Sequence, residues 1–199
     1  EYYKGNYATL QPLETPVREQ IPIWLAALRG PAVRLAAEIG DGIMGHPIWS
    51  IDWAIEKIQP EIVKGLDRGG RQREDLEVNL WFWCAPNENE AEAIEDARTT
   101  VGFYASFAQY ESFFSAHGFG DEARRAQEAG RQREVFTRTD LVSDEMVRTF
   151  VLCGKPNSIR KRLDRAWKIA DSMVIVAPPY GLDPMKIMFY QDEIAKLRA

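Results

Sequence analysis

Residues 21–45, IPIWLAALRGPAVRLAAEIGDGIMG, set two short apolar runs either side of one short helical pattern, and that spacing leaves few folds open. Neighbouring strands joined through a helix run parallel, whereas a tight turn would make them antiparallel. Ile21–Ala27 is the first β-rich run, with Pro22 tolerated at its start. Pro31 suits the first turn of the following helix, where its missing N–H costs nothing. Val33, Leu35, Ala36 and Ile39 give that helix one apolar stripe. Gly40-Asp41-Gly42 ends it, and Ile43–Gly45 opens a second strand.

The alternation continues toward the C-terminus. Ser50 or Asp52 caps a helix that runs toward Gly65, with Pro60 kinking or restarting it. Leu76–Cys84, LEVNLWFWC, is the clearest strand. Its Leu76, Val78, Leu80, Phe82 and Cys84 point one way, and Glu77, Asn79, Trp81 and Trp83 the other. Asn87 or Asn89 caps a long helix that carries Glu90, Glu92 and Glu95 toward its positive end. Residues 104–140 read as a helical insertion with loops. Ser143 caps the next helix, and Pro156-Asn157-Ser158 starts another that reaches about Ile169. Residues 172–179, SMVIVAPP, are apolar on both faces and read as a strand buried in a parallel sheet. Asp183 with Pro184 starts a last helix. Ahead of all this, residues 2–10 read as a hairpin about Gly5-Asn6, followed by breaks at Pro12 and Pro16. The order predicts an α/β fold with right-handed crossovers and four visible core strands.

Composition narrows the function. A net charge of −5 over 199 residues argues against nucleic acid as a partner, and the basic bunches Arg124–Arg138 and Arg160–Arg165 read as solvated surface. No apolar run is long enough to span a bilayer, and no signal peptide opens the chain. Cys84 and Cys153 have no metal-ligand spacing and read as reduced, buried thiols of a cytoplasmic protein. The sequence shows no nucleophile–histidine constellation and no phosphate-cradling glycine loop, which suits an enzyme whose cofactor carries the hard chemistry.

Several motifs, in their order, resemble one family. Pro22-Ile23-Trp24-Leu25-Ala26-Ala27, then Gly30-Pro31, then Gly40-Asp41-Gly42, resemble the central segment of the bacterial-luciferase-like oxidoreductases, above all the branch that uses the deazaflavin coenzyme F420. KGNYATL resembles the hairpin before that segment, and the aromatic-rich stretch ending in His117-Gly118-Phe119 resembles the family's helical insert. DEMVRTFVLCGKPNSIRKRL resembles the segment before its last strand. The resemblance implies a TIM (β/α)8 barrel of which residues 1–199 are the C-terminal half, about strands five to eight, with residues 1–20 a hairpin and linker. It further implies hydride transfer between F420 and a small organic substrate; the alternatives are an FMN-dependent monooxygenase and a truncated, non-catalytic relative that binds flavin or dimerises. A half barrel exposes unpaired edges, so the chain is expected to form a homodimer or to associate with the missing half.

In such barrels the chemistry sits at the C-terminal ends of the strands. The first such end, Ala26-Ala27-Leu28-Arg29-Gly30, leads into a helix N-terminus, where free N–H groups and Arg29 favour an anion. The resemblance assigns this turn to the phosphate-bearing side chain of the cofactor. Gly45 and His46 form the second end, and His46 is the candidate hydrogen-bonding or acid/base group. Trp81, Trp83, Pro178 and Tyr180 are the candidate walls of a substrate pocket. The aromatics from Phe103 to Phe114 read either as a lid or as core, and His117 as a helix-end or surface residue.

Overall fold

The computed structural model describes residues 3, 4, 6, 9, 10, 17, 18 and 20–198. β1 (Tyr3–Lys4) and β2 (Thr9–Leu10) pair antiparallel, Tyr3 opposite Leu10, as the expected hairpin requires. Gly5, Pro12 and Pro16 lie outside the described residues.

β3 (Trp24–Ala26), α1 (Gly30–Ile39) and β4 (Gly42–Met44) form the expected parallel unit, with Trp24 opposite Gly42 and Ala26 opposite Met44. Asp41 sets the register. Its N–H donates to the Ile23 carbonyl at 2.8 Å, and its carboxylate accepts the Ile23 N–H at 2.7 Å. Asp171 repeats this clamp on Val78, at 2.8 and 2.7 Å, ahead of the last strand. α1 buries Val33, Ala36 and Ala37, whereas Leu35 and Ile39 of the expected stripe stand in solvent, as do Ile21 and Ile23.

Ser50 caps α2 (Ile51–Trp53) by accepting the Trp53 N–H. A π-helical turn, Ala54–Ile58, then absorbs Pro60, which falls in the first turn of α3 (Gln59–Gly69). After a 3₁₀ turn at Arg73–Asp75 come β5 (Glu77–Pro86) and α4 (Glu90–Ala105), the latter capped by Asn89. The insert follows: a 3₁₀ turn at Ala108–Tyr110, α5 (Glu111–Ala116), α6 (Gly120–Arg131) and a 3₁₀ turn at Thr139–Leu141. Then come α7 (Asp144–Phe150), capped by Ser143, and β6 (Val151–Gly154). The chain ends with α8 (Pro156–Ala166), β7 (Ser172–Val176), α9 (Pro184–Ala195), capped by Asp183, and a 3₁₀ turn at Lys196–Arg198.

β6 is a fifth core strand that the sequence pattern does not announce, because its four residues continue the apolar run of α7 without a break. Every strand in the sheet pairs parallel. Asn79 is paired with both Met44 and Ser172, and Trp83 with both Val151 and Val176. β7 therefore takes one edge of β5, while β4 and β6 share the other. Arg162, expected on a solvated face, turns inward and donates to the Val151 and Arg148 carbonyls at the α7–β6 junction.

One face of the sheet, carrying Ile43, Val78, Leu80, Phe82 and Cys84, is sealed by helices. The other face carries Ala26, Met44, Asn79 and Ser172 in one row and Trp81 with Val174 in the next. It is largely open: Met44 is 41% and Val174 38% exposed. Residues 172–176 are thus half-buried rather than buried, because β7 pairs with β5 alone among the described residues and no second layer covers its inner face. On that face the Asn79 Oδ1 and Trp81 Nε1 atoms are buried without a hydrogen-bond partner. Such orphans are costly, and Trp53 Nε1, on the helical side of the chain, is a third.

Candidate functional site

The C-terminal ends of β3, β4, β5 and β7 open on the same side of the sheet, and the insert packs against them. Ala26 is exposed on the open face, while Ala27 is buried and its N–H donates to the Met44 carbonyl. The half-buried Leu28 gives its carbonyl to the Trp49 indole N–H at 3.0 Å, which fixes the turn. Arg29 is the N-cap of α1, extended, with no side chain closing the helix end. Pro31 has no N–H, so the amides of Gly30 and Ala32 are the free donors there. The Arg29 guanidinium is exposed but engaged: it donates to the Gln109 carbonyl at 2.8 Å and lies 5.4 Å from the Phe113 ring centre. A carboxylate is close by as well. A Cβ on Gly30 would lie 3.2 Å from Glu61, whose carboxyl Lys64 and then Arg34 hold below the usual range.

Gly45 is buried, with its N–H on the Asn79 carbonyl. The half-buried His46 accepts the Ile48 N–H at Nδ1 (3.2 Å), which leaves its proton on Nε2, 3.5 Å from the Tyr110 hydroxyl. Burial pushes its pKa down to about 4. At neutral pH His46 is therefore an uncharged N–H donor, not the acid/base poised near neutrality that its residue type suggests.

Trp83, buried at the upper end of β5, meets the Tyr104 ring at 4.6 Å between centres. Tyr104 in turn lies 5.7 Å from His46, 5.6 Å from Tyr110 and 6.2 Å from Tyr180. Phe103 stacks on Tyr180 at 4.1 Å. The loop after β7 is tied to α4, because the Tyr180 N–H donates to the Thr100 hydroxyl and that hydroxyl donates to the Tyr180 carbonyl (3.1 and 3.3 Å). Burial, with the neighbouring Tyr180 and Tyr110 hydroxyls, pushes the Tyr104 phenol up and keeps it protonated. Pro178 is buried at the start of this loop. Trp81 points to the same face as Trp83 but two residues deeper, away from the mouth. The aromatic run of the insert divides: Phe113 and Phe114 are core, whereas Phe103, Tyr104 and Tyr110 join the wall.

A serine–histidine pair is also present. Ser50 Oγ lies 2.9 Å from His117 Nε2, and His117 Nδ1 lies 2.7 Å from the Phe113 carbonyl. The pair sets His117 inside the interface between insert and barrel, not at the surface as its position at a helix end suggests. Ser50 is 6% exposed and already caps α2, so the pair is a strut that holds α5 against that helix. No local pattern announces it, since the partners lie far apart in sequence.

Comparison with known proteins places this architecture. An uncharacterized protein of Mycobacterium tuberculosis is 28% identical over 166 residues, 79% of this chain and 49% of its own length. The coenzyme F420 dependent tetrahydromethanopterin reductase from Methanopyrus kandleri superposes with a TM-score of 0.72 at 23% identity, covering 94% of this chain and 54% of the reductase. The oxygenating constituent of 3,6-diketocamphane monooxygenase from Pseudomonas putida, solved with FMN, superposes at 0.57 with 15% identity over 98% of this chain and 57% of its own. The chain spans about half the length of these relatives. The model of the luciferase-like monooxygenase family matches residues 1–171, and the chain belongs to that family.

Proposed function

We propose that this chain is the C-terminal half of the barrel of an oxidoreductase that exchanges hydride between coenzyme F420 and a small organic substrate. The observation that carries the reading is the turn Arg29-Gly30 at the end of β3, an uncapped helix N-terminus with a guanidinium beside it. It fits a phosphate. The Gly30 and Ala32 amides are free, and Arg29 spends one N–H on Gln109 and keeps the others. Glu61 limits the approach to the Arg29 side, and its charge is already matched by Arg34 and Lys64. When bound, the deazaflavin supplies the two-electron hydride chemistry for which the protein has no group of its own. In this reading Arg29, Gly30 and Ala32 anchor the phosphate, the Leu28–Trp49 bond keeps the turn rigid, and His46 offers a neutral N–H. Trp83, Tyr104 and Tyr180 keep water from the strand ends.

FMN also carries its phosphate on the ring side chain, so the same turn serves a monooxygenase equally well, and the FMN-bound relative favours that second reading. The open face, with Met44 and Val174 exposed on it, supports completion of the sheet by the rest of the barrel or by a second copy of the chain. Free, buried Cys84 and Cys153 suit a reducing cytoplasm. No helix among the described residues is long and apolar enough to cross a membrane. Fluorescence titration of the protein with F420 and with FMN tests the assignment: saturable binding of F420 supports it, preference for FMN moves it to the monooxygenase, and binding of neither rejects both.

A further inference from the structure

The sheet ends in two unpaired edges, and the chain carries an apolar surface beside each. Among the described residues, β3 pairs with β4 alone and β7 with β5 alone. At the start of β3, Ile21 and Ile23 stand in solvent, and α1 adds Leu35 and Ile39. Beside β7, Ile175, Val176, Gln191, Ile194 and Ala195 line a cavity of about 300 Å³. All of that lining comes from β7 and α9, so the cavity opens on the side away from β5. α9 also exposes Met185, Met188 and Phe189. Monomers rarely leave two such surfaces uncovered.

The two surfaces match. By alternation Ile23 falls with Leu25 on the helical side of the sheet, and Ile175 of the cavity wall lies on that same side. β3, β4, β5 and β7 are four strand positions, because β6 shares the β4 side of β5. A twofold axis along the strands sets β7 of one copy beside β3 of the other, twice, with every strand still parallel. Two sets of four make eight, the number at which interior side chains just fill a barrel. The seven exposed side chains offer roughly 800 Å² per copy, the share each partner brings to a standard stable interface. An unrelated protein would have to present both edges at this spacing; a second copy does so by symmetry.

We propose that the partner is a second copy of this chain: β7 and α9 of one copy receive Ile23 and α1 of the other at two equivalent seams, closing an eight-stranded barrel. The mouth is then incomplete in one copy, since half of its strand ends belong to the partner. This rests on the half-barrel part of the proposed function and not on the cofactor, because the seam uses neither Arg29 nor Gly30.

Sedimentation equilibrium of the 199-residue chain, with no cofactor added, tests it. The wild type is expected at twice the chain mass at micromolar concentration. Leu35→Glu and Met188→Lys alter side chains that water already reaches, so circular dichroism should stay native. Each alone should weaken association about tenfold or more. Mixed, the two variants should recover a dimer, held by one unaltered seam and one with Glu opposite Lys. A monomeric wild type overturns the proposal and leaves the rest of the barrel as the cover. So does a dimer that survives both substitutions, loss in only one variant, or a mixture that stays monomeric. None of these outcomes depends on F420, so the cofactor titration stands or falls separately.

Discussion

Arg29 and Gln109 meet across 80 positions of the sequence: the guanidinium of the first donates to the carbonyl of the second at 2.8 Å. The same side chain stacks on Phe113, so the turn after β3 holds the insert in place whether or not it also holds an anion. Arg29→Ala should therefore loosen the insert. Amide hydrogen exchange across residues 108–117 is expected to accelerate about three- to tenfold, the loss of one hydrogen bond, with the rest of the chain unaffected. Unchanged exchange there would show that the Ser50–His117 strut and the buried Phe113 and Phe114 hold the insert without Arg29.

Protonation of His46 opposes folding. Its folded pKa of about 4 lies below the ordinary value of about 6.5, so the unfolded chain binds the proton more readily. The stability that neutral His46 contributes is complete above pH 6.5, falls as pH drops from there toward 4, and is gone below. Discounted for the part of the ring that water reaches, the loss is about 2 kcal/mol. Urea midpoints at pH 7 and pH 4.5 measure it. His46→Phe should flatten that slope; parallel profiles for the two proteins would remove His46 as its cause.

Two glycines with positive φ make a matched pair. Gly70 (φ +61) ends α3 with nothing within 4 Å of a Cβ, whereas a Cβ on Gly181 (φ +83) would lie 2.5 Å from Thr99. Gly70→Ala should cost about 1 kcal/mol, the backbone strain alone. Gly181→Ala adds overpacking and should cost about 2–4 kcal/mol. It should also free Tyr180 from Thr100, visible as a change in near-ultraviolet circular dichroism. Equal costs at the two sites would mean that the loop after β7 is not held against α4.

The thiols should be silent. Burial pushes Cys84 far up and raises Cys153 as well, despite the nearby Arg162. Iodoacetamide at pH 8 is expected to label neither in the folded protein and both after unfolding in urea. Labelling of Cys153 alone would show that the α7–β6 junction opens.

What was legible in the sequence followed local physics. β5 declares itself by strict alternation, and the caps at Ser143 and Asp183 by residue type. β6 stayed hidden because four residues beside a helix carry no period of their own. For α1, Leu35 and Ile39 fit the helical stripe by spacing, yet the sheet they would cover ends at β3. At the site, Arg29, His46, Trp83 and Tyr180 could be named from their places at strand ends. Tyr104, Tyr110 and the Ser50–His117 strut could not be assigned, because their roles depend on where an insert folds back over residues far away in sequence.

The role proposed for the α1 turn is to seat the phosphate of a deazaflavin. The most direct measurement compares the affinity of the deazariboflavin 5′-phosphate with that of the same deazariboflavin lacking the phosphate, in the wild-type protein and in Arg29→Ala. The account predicts that the phosphate strengthens binding about ten- to a hundredfold in the wild type, the worth of charge-assisted hydrogen bonds, and that most of this gain disappears in Arg29→Ala. Equal binding of the two ligands by the wild type would contradict it.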